Sequence, residues 1–116
     1  MTVANSDLLA PERTECCSMS ATPVDAPTAE RMAGRLKALA DPMRLRLMSH
    51  IAAHGCDSVC ACDLLEVVEI SQPTISHHLK KLVDAGLLTR EQHGRWAHYS
   101  VVREAFDDLR RFLDLT

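Results

Sequence analysis

A mainly α-helical chain carrying one small β-hairpin is the fold class this sequence predicts, and three observations predict it. Apolar residues recur at helical spacing from Met32 to Val83 and again from Phe106 to Leu113. Helix starts and stops are written in sequence, at Asp41-Pro42, at Ser71 and at Gly86. Between the last two helical stretches the period changes to extended segments around Gly94.

Taken in order, the first helix is expected from Thr28 as N-cap, with Met32, Leu36 and Leu39 as its buried stripe. Asp41 caps the second helix and Pro42 occupies its first position, where the missing N–H costs nothing. Met43, Leu47, Met48 and Ile51 line its inner face, and it ends near Gly55. A short third helix runs from about Ala61 to Val68, with Leu64, Leu65 and Val68 inward. Ser71 caps a fourth, which buries Ile75, Leu79, Leu82 and Val83 and stops at Gly86. The segments 87–90 and 97–101 form the hairpin, and a last helix from Arg103 to Leu113 carries Phe106, Leu109, Phe112 and Leu113. The third and fourth helices have the spacing of a helix-turn-helix, and the hairpin supplies a wing. So much apolar surface on a terminal helix predicts a homodimer formed there.

The 116 residues divide into an acidic N-terminal arm, residues 1–27, and a winged helix-turn-helix domain, residues 28–116. Residues 1–30 hold five acidic side chains against Arg13 alone, whereas the remainder holds twelve basic and eleven acidic ones. The formal charge of −3 therefore hides a body that is slightly basic. The arm, with Pro11, Pro23 and Pro27, reads as flexible, with a short helix around residues 6–10. No run is long and apolar enough to span a bilayer, and no signal peptide is visible, so a reducing cytoplasm is expected. There, five cysteines read as metal ligands or redox groups rather than structural disulfides.

Reading a DNA major groove requires short polar side chains at a helix start and an apolar back that holds the helix. The fourth helix offers Gln72, Thr74, Ser76, His77, Lys80 and Lys81 opposite Ile75 and Leu79. Gln72 can pair with an adenine edge, and the lysines suit phosphate. At the hairpin tip Arg95 can enter a minor groove, with Arg90 and His98 positioned for phosphate. Double-stranded operator DNA is the partner these residues imply.

The segments Leu39-Ala40-Asp41-Pro42-Met43-Arg44-Leu45-Arg46-Leu47-Met48 and Ser71-Gln72-Pro73-Thr74-Ile75-Ser76-His77-His78-Leu79-Lys80 resemble two long motifs of the ArsR/SmtB metalloregulators. Ala85-Gly86-Leu87-Leu88 resembles the exit of their recognition helix. The likeness spans about residues 30–113 and implies a homodimeric repressor on an inverted-repeat operator, released by a ligand.

Val59-Cys60-Ala61-Cys62-Asp63-Leu64 resembles the C-x-C-D-L thiolate element of some members, with a departure. The arsenic-sensing version carries a further cysteine three residues after the second, where this chain has Leu65. Trivalent arsenic and antimony favour three thiolates, soft ligands on a soft ion. The favoured triad is Cys16 and Cys17 of the arm with Cys56, and As(III) or Sb(III) is the expected inducer. Cys60 and Cys62 are the alternative, although on a regular helix residues i and i+2 point about 200° apart. A four-sulfur Cd(II) or Pb(II) site from Cys16, Cys17, Cys60 and Cys62, or thiol-redox sensing, remain open readings. His50 and His54, at i and i+4, are a weaker zinc pair. The last helix has no histidine, which argues against the zinc site some relatives build there. Without a βαβ pattern, a phosphate loop or a nucleophile–base pair, an enzyme such as a thiol oxidoreductase is not expected.

Overall fold

In a computed structural model, residues 23–55 and 57–114 are described. They form helices α1 (Ala26–Leu39), α2 (Pro42–Ala52), α3 (Ala61–Val67), α4 (Gln72–Asp84) and α5 (Arg103–Leu113). Three strands, β1 (Val59–Cys60), β2 (Leu88–His93) and β3 (Trp96–Val101), make one antiparallel sheet in the order β1-β3-β2. This is the winged helix-turn-helix arrangement expected from the sequence.

The helix starts follow from side-chain caps. Asp41 is extended and its carboxylate accepts the Arg44 amide at 3.0 Å, with Pro42 in the first turn of α2. Ser71 does the same for α4, accepting the Thr74 amide at 3.4 Å. The first helix differs from expectation. Its cap is Asp25, which accepts from the Thr28 amide at 2.9 Å, so Thr28 lies inside the helix. Pro27 then falls where an N–H has no intrahelical acceptor anyway, and is a helix-start residue.

Helix α4 ends in a Schellman turn. Gly86 adopts φ +80°, its amide donates to the Val83 carbonyl at 2.9 Å, and the Leu87 amide donates to Leu82 at 3.0 Å. An L side chain in that backbone region costs about 1–2 kcal/mol, which explains glycine there. The turn delivers Leu87 into the core, fully buried. Its carbonyl accepts the Val102 amide at 3.0 Å, so one residue joins the end of α4 to the start of α5.

The core gathers Leu47 and Ile51 of α2, Leu64 of α3, Ile75, Leu79 and Leu82 of α4, and Leu87 and Leu88 beyond it. Met43, Leu65 and Val83, expected inside, are half-buried at its edge. Leu36 and Leu113 point outward, 37 % and 48 % exposed, where the helical stripes placed them inside. They sit on α1 and α5, which share an Arg35–Asp108 ion pair at 3.5 Å.

The hairpin is longer than the two segments expected, because pairing runs to the turn, with His93 opposite Trp96 and Gly94 at φ +66°. Strand β1 was not foreseen. Two residues carry no period, and only register with Tyr99 and His98 of β3 defines them as a strand. The expected helix in residues 6–10 lies outside the described residues.

Hydrogen bonding by the Arg44 amide, and then the nearby Arg44 and His78 charges, hold the Asp41 carboxyl below its usual range. A depressed folded-state pKa stabilises the protein above the unfolded carboxylate value, near 3.9, and is lost as pH falls through the lowered one. The stability gap between wild type and Asp41→Ala, measured by urea denaturation, should therefore be constant near neutral pH and shrink below about pH 4.

Candidate nucleic-acid interface and thiol site

Helix α4 is held by its apolar back and exposes its opposite side. Ile75, Leu79 and Leu82 are buried, while Gln72, Thr74, Ser76, His77, Lys80 and Lys81 are all exposed. The polar face begins at the helix N-terminus, where the Ser71 and Thr74 hydroxyls are 2.9 Å apart. Lys80 forms an i,i+4 ion pair with Asp84 at 2.9 Å, exposed enough to be exchanged readily for another anion.

Adjacent histidines have different roles. His77 faces solvent, whereas His78 is half-buried with Nδ1 3.3 Å from Arg44 Nη1. Arg44 also donates from Nε to the Ala38 carbonyl at 2.6 Å. The guanidinium thus pins α4 to the junction of α1 and α2, a contact that neither motif revealed because it joins residues 34 apart.

Between α4 and the wing lies a groove of about 360 Å³ bordered by Gln72, Ser76, Lys80, Arg90, Gln92 and Arg95. The register explains its lining. Arg90 pairs with Tyr99 and Gln92 with Ala97, so these side chains share the sheet face turned to α4. Arg90 donates to Gln92 Oε1 at 2.7 Å, and Gln92 donates to the Gly94 carbonyl at 3.0 Å. This chain of bonds braces the tip where exposed Arg95 sits. Gln92 escaped sequence reading, since its contribution depends on strand parity. His98 lies on the other face, paired with Cys60 on one side and Glu91 on the other.

Of the candidate sulfur ligands, Cys16, Cys17 and Cys56 lie outside the described residues. Cys60 and Cys62 are joined in a disulfide, with Cα atoms 5.2 Å apart. That corrects both the expectation of unpaired thiols and the geometric objection to the pair. Cys60 is the N-cap of α3, extended at φ −69° and ψ 138°, so it is not on the helix and its sulfur turns back toward Cys62. Its Sγ also accepts the Cys62 amide at 3.2 Å. Two donors can therefore reach one ion from this segment, and a third thiolate must come from elsewhere. Leu65 is half-buried against the core. His54 uses Nδ1 on the His50 carbonyl at 2.9 Å, a bond within the helix rather than toward a shared ion.

On the opposite side of the domain, an apolar hollow of about 680 Å³ separates α2 from α5, with Leu39, Leu45, Met48, Val101 and Phe106 among its walls. Beside it, Arg35 Nε and Nη1 are buried with no hydrogen-bond acceptor among the described residues. No helix of the described residues is long and apolar enough to cross a membrane.

Residues 41–90, from the α2 cap to the wing, match the arsR family of bacterial regulatory proteins. The chain is 42 % identical over 80 residues to an arsenical resistance operon repressor of Staphylococcus xylosus, covering 69 % of this chain and 74 % of that one. It is 41 % identical over 75 residues to the repressor of the same name in Bacillus subtilis, covering 65 % and 70 %. Among solved structures, an ArsR-like transcriptional regulator from Rhodococcus sp. RHA1 superposes with a TM-score of 0.66 at 23 % identity, over 76 % of this chain and 80 % of that one, a likeness of fold. The exposed helix, its braced wing and these relationships lead to one conclusion: the chain belongs to the arsR family of bacterial regulatory proteins and is a DNA-binding transcriptional regulator, not an enzyme.

Proposed function

We propose that this regulator is a metalloid-responsive repressor: it binds an inverted-repeat operator as a homodimer and leaves it when As(III) or Sb(III) is captured by three cysteines. The observation that carries the DNA half is the polar start of α4 beside the wing groove. Gln72, Thr74, Ser76 and His77 reach base edges or nearby phosphates, Lys80, Lys81 and Arg90 contact phosphate, and Arg95 enters the flanking minor groove. Replacing Arg95 with alanine should weaken operator binding and lower the log–log salt slope by about 0.9, as expected for one lost ionic contact. Fluorescence anisotropy across a salt series measures it, and an unchanged slope would remove the wing tip from the interface.

Support for the homodimer comes from α1 and α5. Leu36 and Leu113 are exposed there, and the Arg35 donors are buried without acceptors, a costly state that a second copy relieves. Such a dimer sets two recognition helices one DNA turn apart. Leu113→Glu should shift sedimentation from twice the 12.9 kDa chain mass toward the single chain and abolish tight operator binding.

The metalloid half rests on the arsenical resistance repressors among the relatives and on thiol chemistry. Cys16, Cys17 and Cys56 supply the three sulfurs that As(III) favours. Binding then ties the N-terminal segment to the domain and changes the spacing of the two recognition helices. Linkage makes the effect mutual, so operator DNA weakens arsenite binding by the same factor. Under excess reductant with peroxide excluded, arsenite should release wild-type protein from its operator and leave the Cys16→Ser, Cys17→Ser double variant bound. Release of that variant at unchanged arsenite concentration would transfer the site to Cys60 and Cys62. The proximity of those two sulfurs is what favours this second reading.

A further inference from the structure

The wing has a second face, and its chemistry differs from that of the groove. Cys60 of β1 is directly opposite His98 of β3, and His98 is directly opposite Glu91 of β2. Directly opposed residues in antiparallel strands project to the same side, with Cβ atoms about 4.5–5.5 Å apart. His93, two residues from Glu91, lies on that side as well, and its ring stacks on His98 with centroids 4.4 Å apart. Its Nε2 is 2.9 Å from Glu91 Oε1. The sulfur of Cys62 joins the group through its bond to Cys60. One sheet face thus collects two sulfurs and two imidazoles from Cys60-Ala61-Cys62 and His93 through His98. Histidines with four residues between them fall within the spacing of S₂N₂ zinc sites.

We infer that, once the Cys60–Cys62 bond is reduced, Cys60, Cys62, His93 and His98 bind one divalent cation of the zinc class in a tetrahedral S₂N₂ site. This site is separate from the three-sulfur metalloid site. A mixed set of two thiolates and two imidazoles suits a borderline d¹⁰ ion, whereas As(III) favours a third sulfur. Two thiolates also neutralise the charge of the cation. Glu91, already bonded to His93, orients that ring from behind, the usual carboxylate–histidine pairing around a metal. Among the described residues, no three such side chains are already assembled as a cage. In the structure the two sulfurs are bonded to each other, and the imidazoles are stacked.

Formation of the site is a balanced two-step change. An external dithiol gives up two electrons and two protons, becoming a disulfide as Cys60 and Cys62 become thiols. The cation then displaces the two thiol protons to solvent. Oxidation of the pair reverses this and expels the metal. Metal held here fastens the wing to the start of α3, the helix before the recognition helix, without occupying the groove.

The test uses the full chain with Cys16, Cys17 and Cys56 replaced by serine, so that only this pair of sulfurs remains. After reduction and removal of the reductant, it is titrated with Co(II), whose visible spectrum reports tetrahedral coordination and thiolate ligation. One Co(II) per chain is expected, with intense tetrahedral bands and a thiolate charge-transfer band. His93→Ala and His98→Ala should each weaken binding at least about tenfold. The same protein with its disulfide intact should bind no Co(II) tetrahedrally. Wild-type affinity and spectrum in both histidine variants, a weak six-coordinate spectrum, or equal binding by the oxidised protein would overturn the site. Circular dichroism confirms each variant's fold. His93, half-exposed on the wing, gives a decisive variant should His98→Ala fail to fold.

Discussion

Leu87 is where the parts of this molecule meet. Its amide closes α4 onto Leu82, its carbonyl receives the first amide before α5, and its side chain is fully buried between them. The position becomes available only because Gly86 accepts a backbone conformation that other residues resist. From it the chain enters β2 directly, so the pitch of the recognition helix, the root of the wing and the origin of α5 share a reference point. Arg44 supplies the matching restraint at the other side of α4, through His78 and the Ala38 carbonyl. The polar face of α4 is therefore presented by a helix fixed on both sides, and its orientation cannot change without moving α2 or α5.

That restraint gives the proposed response its route. A ligand near Cys60 or the N-terminal segment does not have to touch the DNA-reading side chains. It has to shift elements that already hold α4, and α3, the wing and the α1–α2 junction all do so. Energy differences of about 1–3 kcal/mol suffice to change affinity several-fold to a hundredfold. The α5 side is the other route, because Arg35 links α1 to Asp108.

Much of the fold was legible because its boundaries are local. Asp41-Pro42, Ser71 and Gly86 announce caps whose chemistry acts within four residues, and α2, α4 and α5 begin and end near where they say. The first helix misled because two nearby residues, Asp25 and Thr28, both suit a cap, and only geometry selects Asp25. Leu36 and Leu113 fit the apolar period yet face outward, since periodicity identifies a stripe but not what covers it. The polar face of α4 could be read from composition. The Cys60–Cys62 proximity could not, because the angular argument treats both as helical and Cys60 is the extended residue before the helix. Arg44–His78 and the second face of the wing were hidden for a further reason: they depend on tertiary approach and on strand register.

The alternation along β2 has an evolutionary consequence. Arg90 and Gln92 belong to one side of the ribbon, Glu91 and His93 to the other, so neighbouring codons serve separate surfaces. Point substitutions can retune operator preference while leaving the sulfur–imidazole side intact, or the reverse. A single inserted or deleted residue in β2 is a different kind of change, because it exchanges the two sides at once. Descendants of this chain should thus diversify their wings by substitution, with length changes confined to the turn at Gly94 and Arg95.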